Sequence, residues 1–287
     1  MPHRPIITKG CFIIASALIT VSPVLADENK PWFSSKKLFP TLVFNPMETQ
    51  VSGIIGVTLT DDQLSYDLFC PVAIGFHKAI YSKGKYSLAL NGLIHSQFGW
   101  REETLSAYSG YKRSLFNIDF IYGLEFTYRI KDDMFLRFSG AHRSTHLGDD
   151  YILLNEVRPS GYWKNDPSNY EYADISLSHK YSIFTFYERI GFVTRLETVR
   201  KRLELQAGFQ IDDLQKDHWK WLVAGMDVRV LQATNFYPGV NAGFGAKLGK
   251  KAKILATYYR GFVPYSRFDT THKTSWLGLG LYFDGVI

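Results

Sequence analysis

The final stretch of the chain constrains the fold most. From Trp276 to Ile287, Leu277, Leu279, Leu281, Phe283 and Ile287 share one face of an extended segment, and Trp276, Gly278, Gly280 and Tyr282 share the other. An oily face carried to the last residue is how an outer-membrane strand ends. The opposite terminus agrees. Arg4 and Lys9 precede a nearly continuous apolar run from Cys11 to Val21, and Val24-Leu25-Ala26 supplies a small-residue cleavage site, so residues 1–26 are expected to be an export signal.

Beyond that signal no apolar run approaches the roughly 18 residues of a spanning helix. A bilayer then admits only a closed sheet, because a free edge would leave backbone groups unpaired in hydrocarbon. Aromatic residues make up 16% of the chain, with 18 Tyr and 21 Phe, enough for two interfacial girdles around an apolar band. The mean hydropathy is only −0.12, since one wet face and one oily face average out. Losing the signal removes Arg4 and Lys9 and no acid, which takes the formal charge from +6 to +4. That mild excess specifies no partner, and export makes nucleic acid an improbable one. Cys11 leaves with the signal and Cys70 stays alone, so no intrachain disulfide forms.

The sequence predicts an all-β fold, a transmembrane antiparallel barrel of about twelve strands. Residues 27–49 are expected to be an irregular, proline-bearing periplasmic lead-in, and residues 50–287 the barrel. Alternation marks strands at Gln50 to Thr60, Leu68 to Ile80 (disturbed by Pro71), Tyr86 to Phe98, Ile118 to Arg129 and from Met134. It continues at Tyr172 to Lys180, Ile183 to Thr194, Leu203 to Gln210, Trp221 to Val230, Val240 to Leu248, Lys253 to Phe262 and Trp276 to Ile287. Glu188 and Arg189 are adjacent, so one of them faces lipid unless a bulge shifts the register. If the first strand starts in the periplasm, turns such as Lys131-Asp132-Asp133 are periplasmic and short. The connections Gly99 to Phe116, Ser144 to Asn169 and Val263 to Thr274 are then extracellular and long, the asymmetry of outer-membrane barrels.

Asp119, Glu125, Arg129, Arg137, Glu204 and Arg229 fall on the lumen face, together with Trp221 and glycines that include Gly243 and Gly245. These charges form lumen salt bridges or line a selectivity filter. Residues 27–49 either plug that lumen or lie beneath it.

The run His142-Arg143-Ser144-Thr145-His146-Leu147-Gly148-Asp149-Asp150-Tyr151 resembles the His-x-Ser-Ser-His-Leu-Gly-Asp-Glu-Tyr signature of a bacterial family known as domain of unknown function 1207. Leu38-Phe39-Pro40 to Asn45-Pro46 resembles that family's entry segment, and Tyr258-Tyr259-Arg260-Gly261-Phe262 with Pro264 its closing hairpin. Departures are Thr145 for the second serine, Asp150 for the glutamate, and Ser266-Arg267-Phe268 where Gly-Gln-Phe is usual. The resemblance implies an outer-membrane location and assigns no reaction.

Counted from Leu136 and Phe138, His142 and Ser144 point to lipid, about 6.6 Å apart, and His146 joins them if the strand continues. A His-x-Ser pair there is similar to that of lipid A deacylases, in which the histidine activates the serine. Asp149 and Asp150 are the nearby carboxylates. Alternatively the strand ends near Ala141 and the run is a turn, with Gly148 at positive φ and Asp149 as its cap. A third reading has the motif, with His146, Gly148, Asp149 and Asp150, binding a ligand or lipid headgroup. His142, His146 and Asp149 show no recognisable metal spacing, and no cofactor is expected.

The leading expectation is a non-enzymatic outer-membrane barrel, either a narrow solute channel or a structural component; the alternative is a lipid-modifying hydrolase using His142 and Ser144. Expected partners are outer-membrane lipids and lipopolysaccharide, the barrel-assembly machinery through the C-terminal strand, and a small solute.

Overall fold

Every alternating segment becomes a strand. The structure, a computed structural model, describes residues 31–33, 37–59, 64, 66–103, 110–154, 169–194, 201–212, 221–249 and 251–283. Residues 1–26, where an export signal is expected, and residues 284–287 lie outside the described residues. The strands are β1 (Val51–Thr58), β2 (Leu68–Lys83), β3 (Tyr86–Glu103), β4 (Gly110–Lys131), β5 (Met134–Leu147) and β6 (Tyr170–Tyr181). They continue with β7 (Phe184–Val193), β8 (Leu203–Ile211), β9 (Leu222–Leu231), β10 (Pro238–Leu248), β11 (Ala252–Phe262) and β12 (Lys273–Phe283). All neighbours are antiparallel, and β1 meets β12 without a break from Val51↔Phe283 to Thr58↔Trp276, which closes a twelve-stranded barrel. Among the described residues no helix is long and apolar enough to cross a membrane.

The two faces sort as the alternation requires. Ile55, Leu124 and Leu279 point outward and are 67%, 50% and 56% exposed, whereas Asp119 and Arg143 point inward at 0%. In water such an outer surface would be a severe liability, and in acyl chains it is the stable arrangement. Glu188 points outward and Arg189 inward, with no register shift on either side of β7. β4 does carry an irregularity: Phe116 has no partner between the pairs Gln97↔Asn117 and Phe98↔Leu115, and it turns into the barrel beside Asn117.

The interior is filled rather than watery. Residues 37–50 run inside the barrel, where Leu42, Val43, Phe44 and Asn45 are fully buried. Val43 donates its N–H to Gln210 Oε1 (2.9 Å), Gln206 donates to Asn45 Oδ1 (2.7 Å), and Asn241 donates to the Phe44 carbonyl (2.9 Å). The Phe44 ring occupies the space that side chains at Gly225 and Gly243 would take, so the lumen glycines make room for the plug. From the other end the connection 263–272 folds inward, burying Val263, Tyr265, Ser266, Phe268 and Asp269. An aromatic layer of Tyr66, Phe69, Phe116, Tyr259 and Trp276 packs between them. Cavities left between plug and wall measure about 30 and 40 Å³, room for a water or so each. Trp221, expected to fill the lumen, instead stands 45% exposed just before β9, because the strand begins one residue later and leaves the indole at the barrel's mouth.

Candidate functional site

β5 carries the motif, and its pleat divides the motif between two surfaces. Leu136, Phe138, His142, Ser144 and His146 face outward; Arg137, Arg143 and Thr145 face inward. The strand persists to Leu147, past the expected end near Ala141, because every residue from Asn117 to Phe120 on β4 pairs with it. Gly148 then stops it without positive φ. A side chain there would overlap the carbonyl oxygen of Leu115. Beyond Gly148 the chain forms a short helix, Asp149–Leu154, held by Leu115 N–H donating to Asp150 Oδ2 at 3.0 Å, while Asp149 occupies the helix start. Gly148→Ala is expected to destabilise the barrel by about 1–3 kcal/mol through overpacking, measured by urea unfolding in detergent. An unchanged midpoint would show that the Leu115 backbone yields.

On the lumen side the sequence-expected charges assemble into linked clusters. Asp119 accepts from Arg143 Nε at 2.7 Å and from the Thr145 hydroxyl, and Arg143 also reaches Asp269 (2.7 Å), the Tyr170 hydroxyl (2.9 Å) and the Ser266 carbonyl (2.8 Å). Arg143 therefore pins the inward-folded connection 263–272. Lower in the lumen Arg137 lies 3.1 Å from Glu48 of the plug and 3.5 Å from Glu125, with the Phe39 ring 4.1 Å away and His77 3.3 Å from Glu125. Glu204 accepts from Arg229 (3.0 Å) and Arg189 (3.4 Å), and Arg189 also meets Asp174 (3.3 Å). Arg129 stands apart. It sits at the rim, 3.7 Å from Asp132 and hydrogen-bonded to the Gly84 carbonyl. Arg143 matches all three of its guanidinium nitrogens, whereas among the described residues Arg137 Nε, Arg189 Nη2 and Arg229 Nε have no hydrogen-bond partner, so the burial of those three nitrogens rests on the ion pairs of their groups.

The lipid-facing side holds a different constellation. Ser144 Oγ lies 2.9 Å from His146 Nε2. Two residues back, His142 Nδ1 is 3.1 Å from Glu171 Oε1, the residue directly opposite it on β6. Rings on β4 flank both imidazoles: Tyr122 is 5.2 Å from His142 and Phe120 is 5.9 Å from His146, centroid to centroid. One serine, two histidines and one carboxylate thus share a partly exposed outer surface toward the end of the barrel that carries the long connections. Asp149 and Asp150 do not join them. Among the described residues no group of three or more His, Cys, Asp or Glu side chains is arranged to hold a metal ion.

Glu171 is the residue that sequence reasoning misses, since a cross-strand partner beyond a long connection has no fixed spacing in the chain. Arg143 and Thr145 also escape it as inward residues, although the alternation that sends His142 and Ser144 outward implies them.

A closed barrel with an oily exterior and a charged, filled interior defines an outer-membrane-type barrel. The chain belongs to the family described as Protein of unknown function (DUF1207), whose model matches residues 38–284. No curated protein matches it. Among solved structures it is similar to outer membrane phospholipase A from Escherichia coli, with 11% identity, a TM-score of 0.55, and coverage of 88% of this chain and 95% of that one. The Salmonella typhi outer membrane phospholipase dimer with bound calcium gives 11% identity and a TM-score of 0.54 over 85% and 94%. Identity this low speaks to the fold alone.

Proposed function

We propose that this outer-membrane barrel hydrolyses ester bonds of lipids in the leaflet around its long-connection end, with Ser144 as the nucleophile. The supporting observation is the 2.9 Å contact between Ser144 Oγ and an imidazole nitrogen on a surface that faces acyl chains. A hydroxyl and two imidazoles are a poor choice for that surface on packing grounds, since hydrocarbon offers polar side chains nothing. In the reaction Ser144 Oγ attacks the acyl carbonyl as its proton passes to the imidazole. The imidazolium returns that proton to the departing alcohol, and water repeats the sequence to release the fatty acid. His146 is the imidazole in contact, and His142, whose ring Glu171 orients, is the other candidate base.

The test is fatty-acid release from phospholipid and lipid A in mixed micelles. Ser144→Ala abolishes it, and loss of the base lowers it by roughly 10²–10⁴. Failure of His146→Ala with survival of His142→Ala assigns the base to His146. The reverse, with Glu171→Gln also impaired, assigns it to His142. Release that persists in Ser144→Ala ends the proposal. The solved phospholipases named above add a shared architecture to this reading and no residue.

A second reading is favoured by a separate observation. Residues 37–50 are tied to the wall through Glu48 and Arg137, which suits a non-enzymatic role as a narrow solute channel closed by its own lead-in, or as a structural component. The location in a bacterial outer membrane, the dealings with lipopolysaccharide and the assembly machinery, and the export signal are part of the same proposal.

A further inference from the structure

We infer that a groove on the outer wall between β1 and β4 is a docking site for one phosphate-bearing membrane lipid, its acyl chain in the groove and its phosphate on Arg113. The groove has a volume of about 520 Å³, and Gly53, Ile55, Cys70, Val72 and Trp100 line it on the face the barrel turns to hydrocarbon. It has a cause in the sequence. Pro71 lies within β2, and the β1–β2 ladder, intact at Gly53↔Val72 and Gly56↔Phe69, makes no pairing between Ile54-Ile55 and Cys70-Pro71. Gly53 adds to the opening, because a side chain there would meet nothing within 4 Å.

Among the described residues Arg113 is the one charged residue lining the groove. It stands near the start of β4, opposite Trp100, at the end that carries the long connections. Its guanidinium carbon sits 5.6 Å from the Phe98 ring centroid, and among the described residues it forms no ion pair. An exposed guanidinium above an apolar trough complements an anionic headgroup above an acyl chain, and its planar donors match phosphate oxygens. A second copy of the chain would leave this charge uncompensated unless it brought a carboxylate, so the lipid is the better fit.

The experiment uses the full barrel carrying Ser144→Ala, so that no lipid is consumed and failure here is separable from failure of the hydrolase. Native mass spectrometry from detergent compares phosphatidylglycerol with diacylglycerol of the same chains. One phosphatidylglycerol is expected to stay on each barrel where diacylglycerol does not, and a large excess of inorganic phosphate is expected to leave it in place. Arg113→Gln is expected to weaken retention about tenfold or more, in line with loss of a charge-assisted hydrogen bond. Gly53→Leu, whose Cβ would meet no protein atom within 4 Å and whose side chain extends into the trough, is expected to do the same while unfolding midpoints stay unchanged. Equal retention of the two lipids, displacement by inorganic phosphate, or wild-type retention in both variants would overturn the assignment; a barrel that appears only as a dimer through this face would replace it with self-association.

Discussion

Arg143→Ala is expected to remove at least about 3–5 kcal/mol of unfolding free energy, because it strands buried carboxylates rather than merely deleting a contact. Asp119 and Asp269 are both almost wholly enclosed and each lies 2.7 Å from this one guanidinium, which also holds the Ser266 carbonyl. Removing the cation leaves two negative groups in a poorly polarisable interior. The barrel can relieve this only by protonating them or by letting the connection 263–272 swing away from the lumen. Adding Asp119→Asn and Asp269→Asn to the alanine variant should therefore restore a large part of the loss, a non-additivity that an independent-contact picture does not give. Urea unfolding in detergent, read by tryptophan fluorescence, measures both. A loss under about 1 kcal/mol for Arg143→Ala would mean that the connection does not depend on this anchor.

The other large effect concerns the plug. Excising residues 38–49 is expected to turn a barrel silent in planar bilayers into a conducting one. The excised stretch contains Phe39, Leu42 and Phe44, which fill the centre of the lumen, and Glu48, which is the plug's anion on Arg137. Twelve strands enclose more space than eight, and with the stretch gone the inward side chains of the wall are too short to meet across it everywhere. The newly uncovered Arg137 should bias the current toward anions, and Arg137→Gln in the excised chain should weaken that bias. If the excised chain stays silent, the connection 263–272 alone seals the barrel and a channel gated by the lead-in is ruled out.

Much of this architecture can be read from the order of residues, and the reason is the pleat. Ile118 to Tyr128 alternates so strictly that only one orientation of β4 satisfies both lipid and lumen, and each of the other strands repeats the constraint less strictly. What alternation cannot convey is how far a strand runs past the membrane. β3 and β4 extend to Glu103 and back from Gly110, where polar residues on both faces erase the signal. Nor can it place the plug, since Leu38 to Glu48 has no period and gains its position from partners on strands far away in sequence, among them the polar side chains of Gln206, Gln210 and Asn241 and the glycines that admit Phe44. The outward trio His142, Ser144 and His146 comes from counting; its carboxylate, Glu171, requires the β5–β6 register.

Arg143 and Ser144 are adjacent, and one locks the interior while the other looks out at lipid. Inserting a single amino acid between His142 and Arg143, with the strand before it held in register, would exchange these duties along the rest of the strand, driving a guanidinium into fatty tails and a hydroxyl into the ionic knot. Length drift among descendants of this chain is thereby barred from that part of the strand and pushed into the segments that join the strands, so the two jobs must be inherited as a unit.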